Sequence, residues 1–186
     1  MRLGPPDPAT MTAEQRRVQD IITRGPRGQV RGPLAIWLHR PELAQAAQAL
    51  GAYCRYGSSL EPRLSELAIL TMAVVWQSDF EWWAHKPIAL KAGLSESVTD
   101  ALAAGRPPAF ADAEEEIVHT VITTLSTKRR LPDALYATAL DLLGRDRLVD
   151  LIGLCGYYTL ISMTLNAFEV PLPEGESPEL SGTSAR

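Results

Sequence analysis

The chain has 186 residues, 46% apolar and 22% charged, with 18 Lys and Arg against 22 Asp and Glu for a net charge of −4. That length suits one domain with a sizeable core, and the composition excludes wholesale disorder. A mildly acidic chain lacks the basic footprint of a nucleic-acid binder, and two distant cysteines, Cys54 and Cys155, form no Cys-x-x-Cys zinc or redox motif and fit a reducing cytoplasm.

MRLGPPDPAT, residues 1–10, is Pro-rich, has no apolar stretch of the kind a secretory leader carries, and reads as a loose segment. Residues 11–170 read as one helical domain. Thr12 with Gln15 fits a capping box for a helix running to about Thr23. GPRGQVRG, Gly25 to Gly32, then reads as a loop, with glycines and arginines but no phosphate-loop spacing. Pro41 opens a helix to about Tyr56, stopped by Gly57, and Pro62 opens another through LSELAILTMAVVW. A helix over Ser78–Gly93 follows, and Pro87 is expected to kink it just after His85. Ser95 caps a short helix to about Ala103, and Asp112 with Glu115 forms a second capping-box pattern for a helix to about Thr127. LPDALYATALDLLG is one more helix, ended by its glycine, and the last long helix starts near Asp146. The tail 171–186 is polar, without an apolar period, and reads as flexible. With no sustained alternation anywhere, the predicted fold is all-α.

The segment Leu148 to Phe168 is long enough to span a membrane, but it holds Asp150 and Asn166 and reads as a buried helix. It is apolar nearly all round from Leu151 to Leu165, which places it at the centre of the core or in a subunit interface. Gly153 and Gly156 would admit a second backbone, so a homo-oligomer is expected.

SDFEWWAH carries the chemistry. Residues four apart share a helix face, so Ser78, Glu81 and His85 align, with Trp82 beside them. On an exposed helix such a Glu–His pair is a weak surface contact. Two tryptophans and a highly apolar preceding helix argue for enclosure instead. An enclosed carboxylate and imidazole form a candidate proton-transfer site. Glu66, among the apolar residues of LSELAIL, is a third candidate, or a solvent-facing position of its helix. Glu66, Glu81 and His85 would also suit one metal ion, but neither His-Glu-x-x-His nor a second nearby histidine supports a metal.

RLSELAIL, SDFEWWAH and KAGLS together resemble the carboxymuconolactone decarboxylase family, which includes the alkylhydroperoxidase D proteins. PELAQAAQALGAYCRYG and LIGLCGYYTLISMTLNAF extend the likeness over most of the chain. The resemblance implies an all-α fold and an oligomer, a trimer or hexamer. In the peroxidase branch a glutamate precedes a Cys-x-x-Cys and a histidine. Here Glu66 and His85 match the glutamate and histidine, while Ser78 and Glu81 stand where the two cysteines would be. A serine and a glutamate cannot cycle through a thiolate and a disulfide, so thiol peroxidase activity is not expected.

Glu-x-x-x-His instead is similar to the true decarboxylase branch, which uses no metal or organic cofactor. The resemblance implies a lyase acting on a small carboxylated lactone or related aromatic-derived acid. His85 would donate the proton, Glu81 would orient it and Glu66 would share the network. An isomerase or hydratase using the same residues, and a non-enzymatic binding protein, are the alternatives.

An anionic substrate calls for a cation. Arg24, Arg27, Arg31 and Arg55 are available, and Arg31 and Arg55 are the preferred carboxylate binders. Ser78, His39 and Tyr157 are further candidates for the pocket, and Trp82 and Trp83 for its apolar walls. His119 reads as structural.

Overall fold

The computed structural model describes residues 1–181. Eight α-helices follow one another among the described residues, with no strand. α1 (Ala13–Arg24) has the expected capping box: Thr12 Oγ1 accepts from the Gln15 amide, and the Gln15 side chain accepts from the Thr12 amide. α2 (Pro33–Trp37), α3 (Pro41–Ala52) and α4 (Pro62–Trp76) each open on a proline, whose missing N–H costs nothing in a first turn. α5 spans Asp79–Lys91, α6 Glu96–Ala103, α7 Ala113–Lys128 and α8 Asp133–Ala167.

α4 is the hub. It is buried continuously from Leu64 to Ala73 and packs against α5, α7 and α8. A helix with no polar stripe can only sit inside. It ends at Gln77, in the left-handed region at φ 49°, and α5 starts two residues later. This tight return folds α5 back along α4.

Some expectations are corrected. α3 does not run on to Tyr56; it widens into a π turn over Tyr53–Gly57. The two helices expected after residue 130 are both present and meet at a kink at Gly144 (φ 72°, ψ 169°), the glycine expected to end the first. Asp112 caps α7 by accepting from the Glu114 amide at 2.7 Å, but Glu115 does not reach back to complete a box. Its carboxylate pairs with Arg63 on α4, since an ion pair across the helix interface competes with the local bond.

α8 alone among the described residues is long and apolar enough to cross a membrane, and 61% of its most apolar window is buried against the rest of the chain. It is a core helix. Gly153 and Gly156 admit no backbone within this chain: nothing stands within 4 Å of where a Cβ would be.

Both ends of the described chain are pinned rather than loose. The Arg2 amide donates to the Phe168 carbonyl at 2.8 Å. After residue 170 the chain crosses α5 and docks. Glu179 pairs with Lys86 and accepts from Trp82 Nε1, Leu180 is 3% exposed, and the Ser181 amide donates to the Ala103 carbonyl at 2.8 Å. Within the tail expected to be flexible, residues 179–181 thus make tertiary contacts, and residues 182–186 lie outside the described residues. Leu180→Ala is expected to cost about 2–5 kcal/mol of stability, the range for a buried leucine, read by denaturant unfolding.

Candidate active site

Glu66 on α4 and His85 on α5 meet across the tight return. Glu66 Oε2 lies 2.7 Å from His85 Nδ1, both side chains being buried. The other ring nitrogen, Nε2, lies 3.4 Å from Glu81 Oε2 and 3.4 Å from the Tyr158 hydroxyl. Tyr158, on α8, also sets its ring edge-on to the imidazole at 5.3 Å. The two carboxylates therefore address opposite ring nitrogens. The partner that holds the ring is Glu66, where the sequence suggested Glu81. Because they sit on opposite sides of the imidazole, Glu66, Glu81 and His85 do not converge on one point as ion ligands would.

Glu66 accepts from Nδ1–H, which leaves Nε2 as the nitrogen that exchanges a proton with Glu81, Tyr158 or a bound molecule. Glu81 is 4% exposed, and its Oε2 has no hydrogen-bond partner. Burial holds its carboxyl above the usual glutamate range, and Glu66 adds to this; His85, Arg55 and Arg27 pull the other way. Tyr158 is fully enclosed, and burial keeps its phenol protonated well above the ordinary tyrosine value. The site thus sets the Tyr158 O–H and a carboxyl biased toward its protonated form beside a single imidazole nitrogen.

A cavity of about 230 Å³ opens onto this cluster, room for a compact molecule. Glu81 and His85 line it from α5, Tyr157 and Tyr158 from α8, Arg55 and Tyr56 from the π turn, and Leu34 from α2. The loop Gly25–Gly32 forms the remaining side through Arg27, Gln29 and Arg31. Arg27 Nη2 donates to the Tyr157 hydroxyl at 3.2 Å. Burial pushes the Tyr157 phenol up to about 12, with Arg27 opposing. Gly51 on α3 makes room for this contact: a Cβ there would overlap both the Tyr157 hydroxyl and Arg27 Nη2.

The expected pocket residues divide. Arg31, Arg55 and Tyr157 line the cavity. Arg31 is exposed and its guanidinium lies over the Trp83 ring at 5.5 Å. Trp83 stands behind Phe80, which does line the cavity, with ring centroids 5.6 Å apart. Trp82 is not a wall: it is 1% exposed, packed in the core and bonded to the tail through Glu179. Ser78 is buried before α5 and outside the lining, although it shares a helix face with Glu81 in projection. His39 is at the surface, where Nε2 contacts the Gly4 carbonyl at 2.8 Å and ties down the N-terminal segment. His119 packs against Phe110, and burial lowers its pKa. The cavity also holds two groups not chosen from the sequence, Arg27 and Tyr158.

Residues 41–121 match the model of the Carboxymuconolactone decarboxylase family. Through this segment, a little under half of its length, the chain is similar to that family. No curated protein matches the sequence. The solved structure of an uncharacterized peroxidase-related protein from Silicibacter sp. TM1040 is similar, with a TM-score of 0.74 at 16% identity over 93% of this chain and 91% of that one. At that identity the likeness is one of fold, and the fold is the all-α type expected of the carboxymuconolactone decarboxylase and alkylhydroperoxidase D proteins. Glu66, Glu81, His85 and Arg55 fall inside the family segment, while Arg27, Arg31, Tyr157 and Tyr158 fall outside it.

Proposed function

We propose that the protein is a cofactor-independent acid–base enzyme of the decarboxylase-like kind, acting on a small carboxylated lactone or related aromatic-derived acid. The observation that carries this reading is the buried Glu66–His85–Glu81 arrangement with Tyr158, opening onto a small cavity that three arginines line. Losing CO₂ from such an acid leaves an electron pair on carbon and negative charge on a conjugated oxygen. The carbon needs a proton and the oxygen needs a donor. His85 or the protonated Glu81 supplies the first, and the Tyr158 hydroxyl, 3.4 Å from His85 Nε2, supplies the second. Glu66 fixes the ring and stabilises its charged form.

Thiol peroxidase chemistry is not part of this reading. Cys54 and Cys155 are buried free thiols outside the cavity, burial pushes Cys155 up to about 12, and the thiolate is the reactive form. Free buried thiols also suit a reducing cytoplasm.

The test uses 4-carboxymuconolactone in D₂O, followed by NMR and by CO₂ release. Decarboxylation with one solvent deuteron placed on carbon is expected. Deuterium entry or hydration without CO₂ release would assign an isomerase or hydratase to the same residues. No change in any lactone of a panel would favour a binding protein.

A further inference from the structure

Arg27 and Arg55 carry the strongest unexplained signal in the molecule. Each has a buried Nε without a hydrogen-bond partner, and neither makes an ion pair among the described residues. An unmet guanidinium N–H in a partly enclosed site is costly unless something occupies it. Among the described residues no carboxylate forms an ion pair with these cations. Glu81, whose carboxyl both arginines pull down, is held toward its neutral form by burial, and Tyr157 is a neutral phenol. The Tyr157 oxygen accepts from Arg27, so its own O–H is free to donate. Gly51 leaves space for this pair where any side chain would displace it. Arg31 differs in being exposed; its guanidinium lies over Trp83 at 5.5 Å, as that of Arg55 lies over Tyr56 at 5.3 Å.

We propose that Arg27 and Arg55, with the Tyr157 hydroxyl, form a clamp for a spectator carboxylate of the substrate. The clamp orients the molecule so that a different carbon faces Glu81 and His85. Two guanidinium forks and one hydroxyl suit the two oxygens of a planar carboxylate; the same donors would serve a phosphate, which the titration below distinguishes. The clamped group is an anchor and not the group lost as CO₂. Decarboxylation moves charge from the carboxylate onto carbon, so two cations on that carboxylate would stabilise the ground state more than the transition state. The assignment of the reacting end rests on the acid–base reading above; the clamp itself does not.

Isothermal titration of the full chain with benzoate, benzamide and inorganic phosphate tests the clamp without any turnover. Benzoate is expected to bind at least tenfold more tightly than benzamide or phosphate. Arg27→Gln and Arg55→Gln are each expected to weaken benzoate about tenfold, as for a lost charged hydrogen bond, and the double variant more. Tyr157→Phe and Gly51→Ala approach the same contact from its other two sides and are expected to weaken benzoate too. Circular dichroism identifies the folded variants, and the conclusion is drawn on those. Benzoate binding unchanged in a folded double variant, equal binding of benzamide, preferred binding of phosphate, or no binding of benzoate overturns the clamp. Intact benzoate binding in a protein that turns over no lactone overturns the acid–base reading and leaves the clamp standing.

Discussion

His85→Ala is expected to lower turnover of 4-carboxymuconolactone by about 10²–10⁴-fold, the usual contribution of a positioned acid or base. The imidazole has a hydrogen-bond partner on each nitrogen, Glu66 at 2.7 Å on Nδ1 and the Tyr158 hydroxyl at 3.4 Å on Nε2. Removing it also strands the buried Glu66 carboxylate, and breaking a buried pair this way costs about 3–5 kcal/mol. Loss of activity in that variant would mix chemistry with unfolding. His85→Gln separates them. Its amide can donate to Glu66 and restore much of the stability, but it cannot carry a proton at neutral pH. A thermally stable His85→Gln variant with unchanged turnover would remove His85 from the mechanism.

Glu81→Gln is expected to act in opposite directions on activity and stability. The carboxyl is held above the usual glutamate range, chiefly by burial. In its protonated form it is the donor beside His85 Nε2, so turnover should fall as pH rises through that raised value. The glutamine variant should lose about 10²-fold in kcat and lose this alkaline limb. Stability follows from the same shift. Below the ordinary glutamate value, about 4.3, folded and unfolded chains both hold the proton, and Glu81 carries no ionisation penalty. As pH rises the unfolded chain ionises first, and stability drains away until the folded carboxyl also ionises. Glutamine has no proton to lose. The variant should therefore gain on wild type between pH 4 and pH 8, by about 2–4 °C in Tm for each kcal/mol relieved. An identical Tm difference at both pH values would mean that Glu81 is not held protonated by the fold.

Much of this structure is written in local signals, and those are the parts legible in the sequence. The Thr12–Gln15 box and the prolines that start α3 and α4 act within one turn, so reading them needs no tertiary knowledge. The spacing of Glu81 and His85 is local as well. Their partner Glu66 lies 19 residues from His85 and came into view only through the resemblance of LSELAIL and its neighbours to a family. Where the sequence misled, a distant group had won a local competition. Glu115 leaves its cap for Arg63, and Trp82 turns into the core toward Glu179 instead of the cavity. One apolar residue, Leu180, anchors a tail whose composition otherwise argues for freedom. Tyr158 and Arg27 stand out less in the sequence: each reaches the cavity from outside the segment that the family model matches.

The π turn at Tyr53–Gly57 gives this gene an unusual point of change. A π turn holds one residue more than an α turn, and each helical residue advances the side chains by about 100°. Loss of a single codon there would let the turn relax to α geometry and swing Arg55 and Tyr56 away from the cavity they line. Glu66, Glu81 and His85, on α4 and α5, would keep their places. An in-frame deletion of three nucleotides could thus alter which molecules are accepted while sparing the proton-transfer residues, a route to new substrates that point substitutions do not offer.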